Sequence, residues 1–392
     1  MLSRSKALPP VRDIPSRLAR LASVRPLDGE AMPCGVLYAL SLAPGDAETF
    51  RGGVMMRTCL WMAGAAGVLY GVRRVRQPFS YAGKIVLITG ASRGLGLVMA
   101  RQLVRQGARL ALCARDPAEL ERARAELAAT GAEVLAVTAD VSDPAQASSF
   151  VAQARERYGH LDVLINNAGV IQVGPLESMG IQDFREAMEI NYFGTVYTTL
   201  AALPHLRGKG RVVNICSIGG AVAVPHLLPY VGSKYAQVGF SEGLTAESAR
   251  YGIRVTTVLP FIMRTGSHWN ARFKGRRERE VAWFAIGASL PVSSVSANRA
   301  ASRILSACVR SEAYVTVGLL AKVVRVIHAL MPGVVNRAAG VVNRLLPGPG
   351  GAAPSDLAEP GWLHRPRVAR GPWMRLGDEA ARKNREAPWA PR

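Results

Sequence analysis

Residues 84–96 read KIVLITGASRGLG, a short β-branched run followed at once by three closely spaced glycines. The apolar run predicts a buried strand, and the apolar periodicity after it predicts a helix. Gly90 permits a tight turn, Gly94 lets the backbone approach a phosphate, and Gly96 allows close packing of helix on strand. Free N–H groups and the positive dipole end at the start of a helix attract anions. The stretch therefore predicts a strand–loop–helix unit that binds the pyrophosphate of a dinucleotide.

Six further short apolar runs follow this unit, and amphipathic stretches separate them. The seven predicted strands are residues 84–89, 109–114, 133–138, 161–166, 211–216, 253–259 and 313–317. Near-continuous apolar runs are typical of parallel strands covered by helices on both faces, and strict alternation of strand and helix indicates βαβ units. We therefore predict an α/β fold, a Rossmann-type doubly wound parallel sheet, as a single catalytic domain over residues 83–318.

The end of the second predicted strand bears on the choice of dinucleotide. Sites that bind the free hydroxyls of the adenosine ribose often place Asp or Glu there, whereas this strand ends beside Arg115 and then Asp116. Arg115 can bind a 2′-phosphate, helped by Arg93 of the glycine loop. The sequence therefore favours NADP(H) over NAD(H), although a strand end one residue later would make Asp116 the ribose ligand. Asp140 and Val141, after the third strand, are candidates to hydrogen-bond and flank the adenine.

Three further residues predict proton-transfer chemistry. Tyr230 and Lys234 are four residues apart in a helical stretch, so they project from one helix face. A phenol has an ordinary pKa of about 10, and a nearby ammonium group favours the phenolate and lowers that pKa. Ser217 follows the strand at 211–216, at the sheet edge where ligands bind, and its hydroxyl can hold a substrate carbonyl.

Taken together, these motifs resemble the pattern of the classical short-chain dehydrogenase/reductase family. The resemblance covers residues 83–318 in the family's order and spacing, and rests on TGASRGLG (89–96), NNAG (166–169), Asn191 in INYFG (190–194), Ser217, and the Tyr230/Lys234 pair. The family implies that Tyr230 is the general acid/base, that Lys234 lowers its pKa and binds the nicotinamide ribose, and that Ser217 orients the carbonyl. It implies that Asn191 supports a water-linked proton relay. It further implies that the cofactor is lined by Gly90, Ser92, Arg93, Gly94, Leu95, Gly96 and Asn167.

The sequence departs from the family pattern where Pro260 is followed by Phe261 rather than by glycine. The threonine that contacts the nicotinamide amide in the family corresponds to Thr265, and its role is left open because Phe261 narrows or shifts this loop. Catalysis should survive, since the acid/base residues lie elsewhere. Residues 265–290 lie where the family builds its substrate lid. Four aromatic residues in this stretch predict an apolar pocket: Trp269, Phe273, Trp283 and Phe284. An alternative for Trp283 and Phe284 is a helix turn that faces the core.

The pattern predicts an NADP(H)-dependent oxidoreductase that acts on a carbonyl or secondary alcohol of a small apolar substrate. The nearest resemblance is to membrane-anchored carbonyl reductases and hydroxysteroid-dehydrogenase-like members that act on steroid-, retinoid- or lipid-like molecules. Two alternatives stay open: a 3-oxoacyl-carrier reductase, and a non-catalytic cofactor-binding Rossmann protein. Family habit suggests a homodimer or homotetramer through the helices that carry Asn191 and Tyr230.

The segments outside the catalytic domain carry separate predictions. Residues 1–52 lack periodicity and are expected to be disordered. Residues 53–76 combine an apolar run with a cluster of arginines, which predicts a membrane anchor that holds the domain at the cytoplasmic face; without it the protein would be cytoplasmic. Residues 319–346 predict an amphipathic helical extension that either caps the core or lies on a membrane. Residues 347–392 are expected to form a disordered basic tail.

The high positive charge of the chain does not by itself indicate a nucleic-acid partner. The formal net charge is +21, but no basic run carries the interleaved aromatic residues of a nucleic-acid site, so we predict no nucleic-acid partner. The 5 cysteines are scattered and the 6 histidines show no ligand spacing, so we predict no metal site.

Overall fold

A computed structural model describes residues 79–206, 208–291, 293–351, 353, 356–365, 371 and 374–387. The predicted disordered segment 1–52 and the candidate anchor 53–76 lie outside these ranges, so both stay predictions. Within the described ranges, no helix combines the length and the apolar character needed to cross a membrane.

Seven parallel strands form the central sheet, which confirms the predicted α/β fold. They are β1 (Ile85–Thr89), β2 (Arg109–Ala114), β3 (Val134–Thr138), β4 (Val163–Asn166), β5 (Arg211–Ile215), β6 (Arg254–Pro260) and β7 (Tyr314–Val317). Their spatial order is β3-β2-β1-β4-β5-β6-β7, and each neighbouring pair is parallel. The order reverses between β1 and β4, and open sheets of this kind bind ligands at that point.

Helices cover both faces of the sheet. In chain order they are α1 (Gly94–Val104), α2 (Pro117–Ala128), α3 (Pro144–Tyr158), α4 (Ile181–Ala187), α5 (Gly194–Ala202), α6 (Leu228–Ser248), α7 (Arg277–Ser289), α8 (Ala297–Arg310), α9 (Leu319–Leu330), α10 (Pro332–Leu345) and α11 (Arg375–Lys383). A π-helical turn, Met188–Phe193, joins α4 to α5. Short 3₁₀ turns lie at Leu176–Ser178, Leu203–His205, Ile218–Gly220, Ala249–Tyr251, Ser267–Trp269 and Gly361–His364.

The core has two layers because successive strand residues point to opposite faces. Val86 and Ile88 of β1 pack with α1, α2 and α8, whereas Ile85 and Leu87 pack with α3, α5 and α6. All five residues of β1 are buried. This two-sided burial explains why the strands read as continuous apolar runs in the sequence.

A small lid lies over the carboxyl edge of the sheet. It contains α7 and two small sheets, formed by the two-residue strands Gln172–Val173, Met263–Arg264, Arg272–Phe273, Val295–Ser296 and Glu359–Pro360. Its apolar cluster includes Trp269, Phe273, Val281 and Phe284.

The C-terminal region differs from the sequence prediction. The expectation of disorder from residue 347 onward is wrong for the described residues 356–365 and 374–387, which include α11 and a 3₁₀ turn. Met374 and Ala381 are fully buried and join the apolar cluster of the lid. Long-range contacts order this segment, and its polar, Pro- and Gly-rich composition gave no local sign of them. By contrast, α9 and α10 bury only Ala321, which packs with Ile218 and Val222 in a small cluster that the partly buried Val324 and Val335 also contact.

Candidate active site

A cleft opens at the carboxyl edge of the sheet, beside the point where the strand order reverses. It encloses a cavity of about 600 Å³. The cavity is lined by Arg115 and Asp140 beyond β2 and β3, by the glycine loop, by Tyr230 on α6, and by Trp283 in the lid. It is therefore shaped to hold an elongated ligand along the ends of the strands.

The glycine loop has the backbone form that the sequence predicted. Gly90 and Gly94 have φ angles of +65° and +59°, a region that favours glycine. A side chain at Gly96 would lie 2.3 Å from the carbonyl oxygen of Gly90, so only glycine lets α1 start this close to the loop. Asn167 donates hydrogen bonds from its side chain to the carbonyl oxygens of Thr89 and Gly90. Asn167, which follows β4, therefore stabilises the conformation of the glycine loop.

The adenosine end of the cleft holds the predicted ribose and adenine residues. Arg115 is half exposed, and its guanidinium lies 3.7 Å from the carboxylate of Asp140. The carboxylate of Asp116 caps α2 by accepting a hydrogen bond from the backbone N–H of Glu119. Asp140 also accepts hydrogen bonds from the backbone and hydroxyl of Ser142. Arg115 and Asp116 therefore both line the cavity here, and each already has one partner within the protein.

Arg93 and Ser92 of the glycine loop have acidic neighbours that the sequence did not reveal. Arg93 donates to Glu119 at 3.1 Å, and Ser92 donates to the same carboxylate at 3.4 Å. A second carboxylate, that of Glu386, lies 3.6 Å from the guanidinium of Arg93. The phosphate end of the cleft is therefore a network of paired charges.

The proton-transfer residues converge at the other end of the cleft. Tyr230 lies in the first turn of α6 and Lys234 one turn later, and Ser217 lies two residues after β5. Ser217 shares a hydrogen bond with the Tyr230 hydroxyl and accepts one from the backbone N–H of Gly219 at 3.0 Å. The Lys234 ammonium donates to the carbonyl oxygen of Ile215 and to the side chain of Gln237. Tyr230, Lys234 and Ser217 are thus brought together as predicted.

The pKa of Tyr230 differs from the sequence expectation. Burial raises it to about 12, and the hydrogen bond with Ser217 opposes this rise only in part. Burial also lowers the pKa of Lys234 to about 8. The ammonium nitrogen lies 5.7 Å from the centre of the Tyr230 ring. In this structure the desolvation of both groups outweighs the attraction between the ammonium and a phenolate.

Asn191 occupies the π-helical turn, a local irregularity that is frequent at functional sites. Its side chain exchanges two hydrogen bonds with the backbone of Val170 and donates a third to Ser233. A side chain at Gly169 would lie 2.8 Å from the Asn191 oxygen and 3.7 Å from the Lys234 nitrogen. Asn191 is therefore fixed beside Lys234, and its part in a proton relay stays a prediction.

The loop after β6 is positioned by residues from the lid and the C-terminal segment. The Thr265 hydroxyl hydrogen-bonds that of Ser267, and the Thr265 carbonyl oxygen accepts from Asn384. Phe261 lines the cavity and also packs against the small cluster that contains Ile218 and Ala321. Both predicted residues, Thr265 and Phe261, therefore lie at the cavity.

The four lid aromatics divide into two pairs. Trp283 and Phe284 line the cavity, whereas Trp269 and Phe273 are fully buried in the lid cluster. Trp283 donates its indole N–H to Glu280, which is fully buried and also hydrogen-bonded to His226. The predicted apolar pocket is therefore supplied by α7, and its Trp283 is held by a buried carboxylate.

Comparison with known proteins identifies the family. A model of the short chain dehydrogenases matches residues 84–274. A protein of Streptomyces violaceoruber named as a ketoacyl reductase of granaticin polyketide synthase is 38% identical over 192 residues, which are 48% of this chain and 71% of that protein. Dehydrogenase/reductase SDR family member 7B of Danio rerio is 37% identical over 220 residues, covering 53% of this chain and 71% of that protein.

The chain belongs to the short-chain dehydrogenase/reductase family. It is therefore an oxidoreductase that uses a nicotinamide cofactor. A solved short-chain dehydrogenase from Burkholderia cenocepacia, in complex with NADP, has a TM-score of 0.53 and 26% identity to this dehydrogenase. The alignment covers 61% of this chain and 98% of that one.

The described residues of this dehydrogenase fit a nicotinamide dinucleotide. The loop has no room for side chains at Gly90 and Gly96, where backbone atoms lie too close, and it opens on a cavity that continues to Tyr230 and Lys234. Arg115 and Asp140 would hold the adenosine part, and Lys234 the nicotinamide ribose. When bound, the cofactor supplies or accepts the hydride.

Sequence reasoning missed four residues of this site: Glu119, Glu280, Asn384 and Glu386. Glu119 and Glu386 line the cavity, whereas Glu280 and Asn384 hold Trp283 and Thr265, which line it, and these contacts depend on tertiary packing.

Proposed function

We propose that the dehydrogenase interconverts a ketone and a secondary alcohol of an apolar substrate with NADP(H). The position of Tyr230 carries the proposal. Its hydroxyl is hydrogen-bonded to Ser217 and borders the same cavity as Trp283 and Phe284. A carbonyl held there would meet a proton donor on a mostly apolar wall.

Each residue would then have one task during reduction. Ser217 donates its hydroxyl proton in a hydrogen bond to the carbonyl oxygen and stabilises the negative charge that develops there. Tyr230 transfers its phenolic proton to that oxygen as the hydride reaches the carbon. The alcohol is formed, a phenolate remains on Tyr230, and the charge of Lys234 stabilises this phenolate. The phenolate regains its proton from solvent before the next turnover.

The protonation state of Tyr230 at neutral pH is the one that an acid in the reductive direction needs. With a pKa raised to about 12 by burial, the phenol is protonated at neutral pH and ready to act as an acid. Oxidation would require the phenolate, which is the minor form at neutral pH.

The preference for NADP(H) is supported at the adenosine end. Arg115 is half exposed and lines the cavity, where its guanidinium can reach a ligand, and one oxygen of the neighbouring Asp116 is engaged as the cap of α2. A guanidinium binds phosphate well. The Burkholderia cenocepacia relative was solved with NADP, which agrees with this assignment.

An apolar substrate is supported by the walls of the cavity near Tyr230. They include Ile171, Val224, Leu227, Met263, Trp283 and Phe284. Pockets that select small apolar molecules combine such walls with a few polar groups. We propose a steroid-, retinoid- or lipid-like ketone as the substrate class.

A 3-oxoacyl-carrier reductase is the second candidate, favoured by the similarity to the protein named as a ketoacyl reductase of granaticin polyketide synthase. A purely cofactor-binding protein is the third, and it would have no need of the hydrogen-bonded Ser217 and Tyr230 pair. We also propose a homodimer or homotetramer, which the exposed Leu200 on α5 supports. Anchorage of the domain to the cytoplasmic face of a membrane by residues 53–76 is a further proposal, supported by the apolar run and its arginines.

One assay separates these functions. Consumption of NADPH and of NADH is followed in parallel with apolar ketones and with 3-oxoacyl thioesters, using the full chain. We expect turnover of the apolar ketones with NADPH. Turnover of the thioesters alone would favour the second candidate, and binding of NADPH without turnover of any carbonyl would favour the third.

A further inference from the structure

The C-terminal segment 374–387 returns to the glycine loop. The carbonyl oxygen of Asn384 accepts a hydrogen bond from the backbone N–H of Gly94, the first residue of α1, at 2.9 Å. Two residues later, the buried carboxylate of Glu386 accepts from the side chain of Asn270 at 2.6 Å. Glu386 is also among the residues that line the cavity.

The carboxylate of Glu386 lies where a dinucleotide needs its phosphates. A side chain added at Gly94 would lie 2.3 Å from a Glu386 carboxylate oxygen, so this oxygen is almost in contact with the Gly94 backbone. Gly94 is the glycine that lets a pyrophosphate approach the loop. The N-terminus of a helix stabilises any nearby anion, a carboxylate as well as a phosphate.

We propose that the segment 374–387 is a strap that competes with the cofactor. Glu386 and the Asn384 carbonyl take the place of the pyrophosphate at the start of α1, and they withdraw when the dinucleotide binds. The proposal rests on the nicotinamide dinucleotide site of the proposed function.

The contacts of the strap are of a kind that lets it leave the glycine loop. Beyond Ala381 its contacts are mostly polar, since Arg101 donates to the carbonyl oxygen of Lys383 and Arg385 pairs with Glu126 at 2.8 Å, while Ala387 is only partly buried against the lid cluster. Such partly exposed ion pairs contribute little stability. Arg385 has a φ angle of +59°, an unfavourable conformation for a residue with a side chain. Release of the strap would relieve this strain, while the apolar anchors Met374 and Ala381 stay in the lid.

Competition should depend on pH because Glu386 titrates. Burial raises its pKa to about 7, opposed by Arg93 and Asn270 and reinforced by the charge of Glu119. His268 of the lid also lines the cavity, and burial lowers its pKa to about 3, so it stays neutral. Above the pKa of Glu386 the carboxylate is ionised, pairs with Arg93 and repels phosphate. Cofactor affinity should therefore fall as the pH rises through this pKa.

Glu386→Gln in the full chain tests the strap, with Glu379→Gln on the exposed side of α11 as the matched control. The dissociation constant of NADPH is measured by calorimetry at about pH 6 and about pH 8, on either side of the Glu386 pKa of about 7. We expect wild type and Glu379→Gln to bind NADPH several-fold more weakly at the higher pH. Glu386→Gln should bind tightly at both. Adenosine 2′-monophosphate, which has no pyrophosphate, should show no difference between the variants.

Hydrogen exchange gives a readout independent of affinity. Saturating NADPH should speed amide exchange in residues 382–387 of the wild type, because the strap leaves the loop. The proposal is overturned if Glu386→Gln weakens NADPH binding or leaves its pH dependence unchanged, or if NADPH protects these amides. Failure of wild type and both variants to bind NADPH or NADH would contradict the proposed function itself, and the strap with it.

A different observation carries a second inference, about α9 and α10. These helices expose their apolar residues: Leu319, Leu320, Val323, Val326, Ile327 and Leu330 on α9, and Val334, Val341, Val342 and Leu345 on α10. At about 100° per residue, Val334, Val341 and Leu345 lie on one side of α10, and Asn336 and Asn343 lie on the other. The apolar side of this hairpin is thus turned to solvent.

The charges of the α9–α10 hairpin indicate what binds its apolar side. Residues 319–346 contain Lys322, Arg325, Arg337 and Arg344 and no Asp or Glu. Two copies of the hairpin packed face to face would bring like charges together. We infer that the hairpin lies on a membrane surface that contains anionic lipids, with its apolar side chains between the headgroups.

Paired cysteine variants test this docking in the full chain. Val341→Cys places a thiol on the apolar side of α10, and Asn343→Cys places one on the opposite side; both positions are exposed. Labelling by a water-soluble maleimide is read at each site by peptide mass spectrometry. Phosphatidylglycerol vesicles should protect Val341→Cys strongly and Asn343→Cys weakly, and phosphatidylcholine vesicles should protect neither. Equal labelling with and without vesicles would overturn the proposal, as would protection that depends only on protein concentration, the sign of a second copy on this face.

Discussion

The proton-transfer end and the phosphate end of the cleft are built in different ways. Tyr230 and Lys234 lie on α6, Ser217 lies in the loop that follows β5, and Lys234 is held by a backbone carbonyl and a buried amide. At the phosphate end, Arg93 is instead shared between the carboxylates of Glu119 and Glu386. The proton-transfer end is therefore a set of buried, hydrogen-bonded groups. The phosphate end is a network of ion pairs that includes Glu386 of the C-terminal segment.

The difference separates two requirements of the reaction. Proton transfer needs fixed distances, which regular elements and buried hydrogen bonds provide. Cofactor exchange needs a site that opens, and partly exposed ion pairs can break at low cost. Changes at the proton-transfer end should therefore alter turnover, and changes at the phosphate end should alter cofactor affinity.

The largest effect is expected at the proton-transfer end. Tyr230→Phe removes the acid, so turnover should fall by about 10²–10⁴-fold, the usual contribution of general acid catalysis. The dissociation constant of NADPH should stay nearly the same, since the phosphate end is untouched. Steady-state kinetics and calorimetry measure the two quantities. Tyr235→Phe, on the exposed side of the same helix, is the matched control and should behave as wild type. Near-normal turnover of Tyr230→Phe would contradict its assigned role.

The next effect is expected at the adenosine end. Arg115→Ala removes a charge-assisted contact to the 2′-phosphate, worth about 1.5–3 kcal/mol, so NADPH affinity should fall by about 10- to 100-fold. NADH affinity should change little, because NADH lacks that phosphate. Binding of both cofactors is measured in parallel, with the exposed Arg122→Ala on α2 as the control. A wild type that prefers NADH would contradict the assignment and favour Asp116 as the ribose ligand.

The proton-transfer end was also the more predictable of the two. The seven strands were found because buried parallel strands read as continuous apolar runs, and Ser217, Tyr230 and Lys234 were found because strand ends and helix spacing place them together. The raised pKa of Tyr230 was missed because desolvation depends on burial, which no local motif records. Asn384 and Glu386 were missed because their segment is ordered by Met374 and Ala381 fitting into the lid cluster.

A smaller effect is expected from the titration of Lys234. Burial lowers its pKa to about 8, so it is charged below that pH and loses its charge above it. At saturating NADPH the reductive rate should fall above about pH 8, by up to about tenfold per unit, because a neutral amine no longer stabilises the phenolate. Tyr230 stays protonated over this range, and saturation removes the effect of Glu386 on affinity. Lys234→Arg keeps the charge, so its slower rate should lack this decline. The same decline in Lys234→Arg would assign it to another group.

The smallest effect is expected from replacing Asp116. This variant tests whether Asp116 or Arg115 contacts the adenosine ribose. Its carboxylate accepts the N–H of Glu119 at 2.9 Å, so Asp116→Ala should lower the free energy of unfolding by about 0.5–2 kcal/mol through loss of the helix cap. Asp143→Ala removes the equivalent cap of α3, away from the cavity lining, and should cost a similar amount in the same denaturant titration. If Asp116 is only a cap, the ratio of NADPH to NADH affinity should be nearly the same in both variants. A marked loss of NADH affinity in Asp116→Ala alone would make Asp116 a ribose ligand and would leave Arg115 as a surface charge.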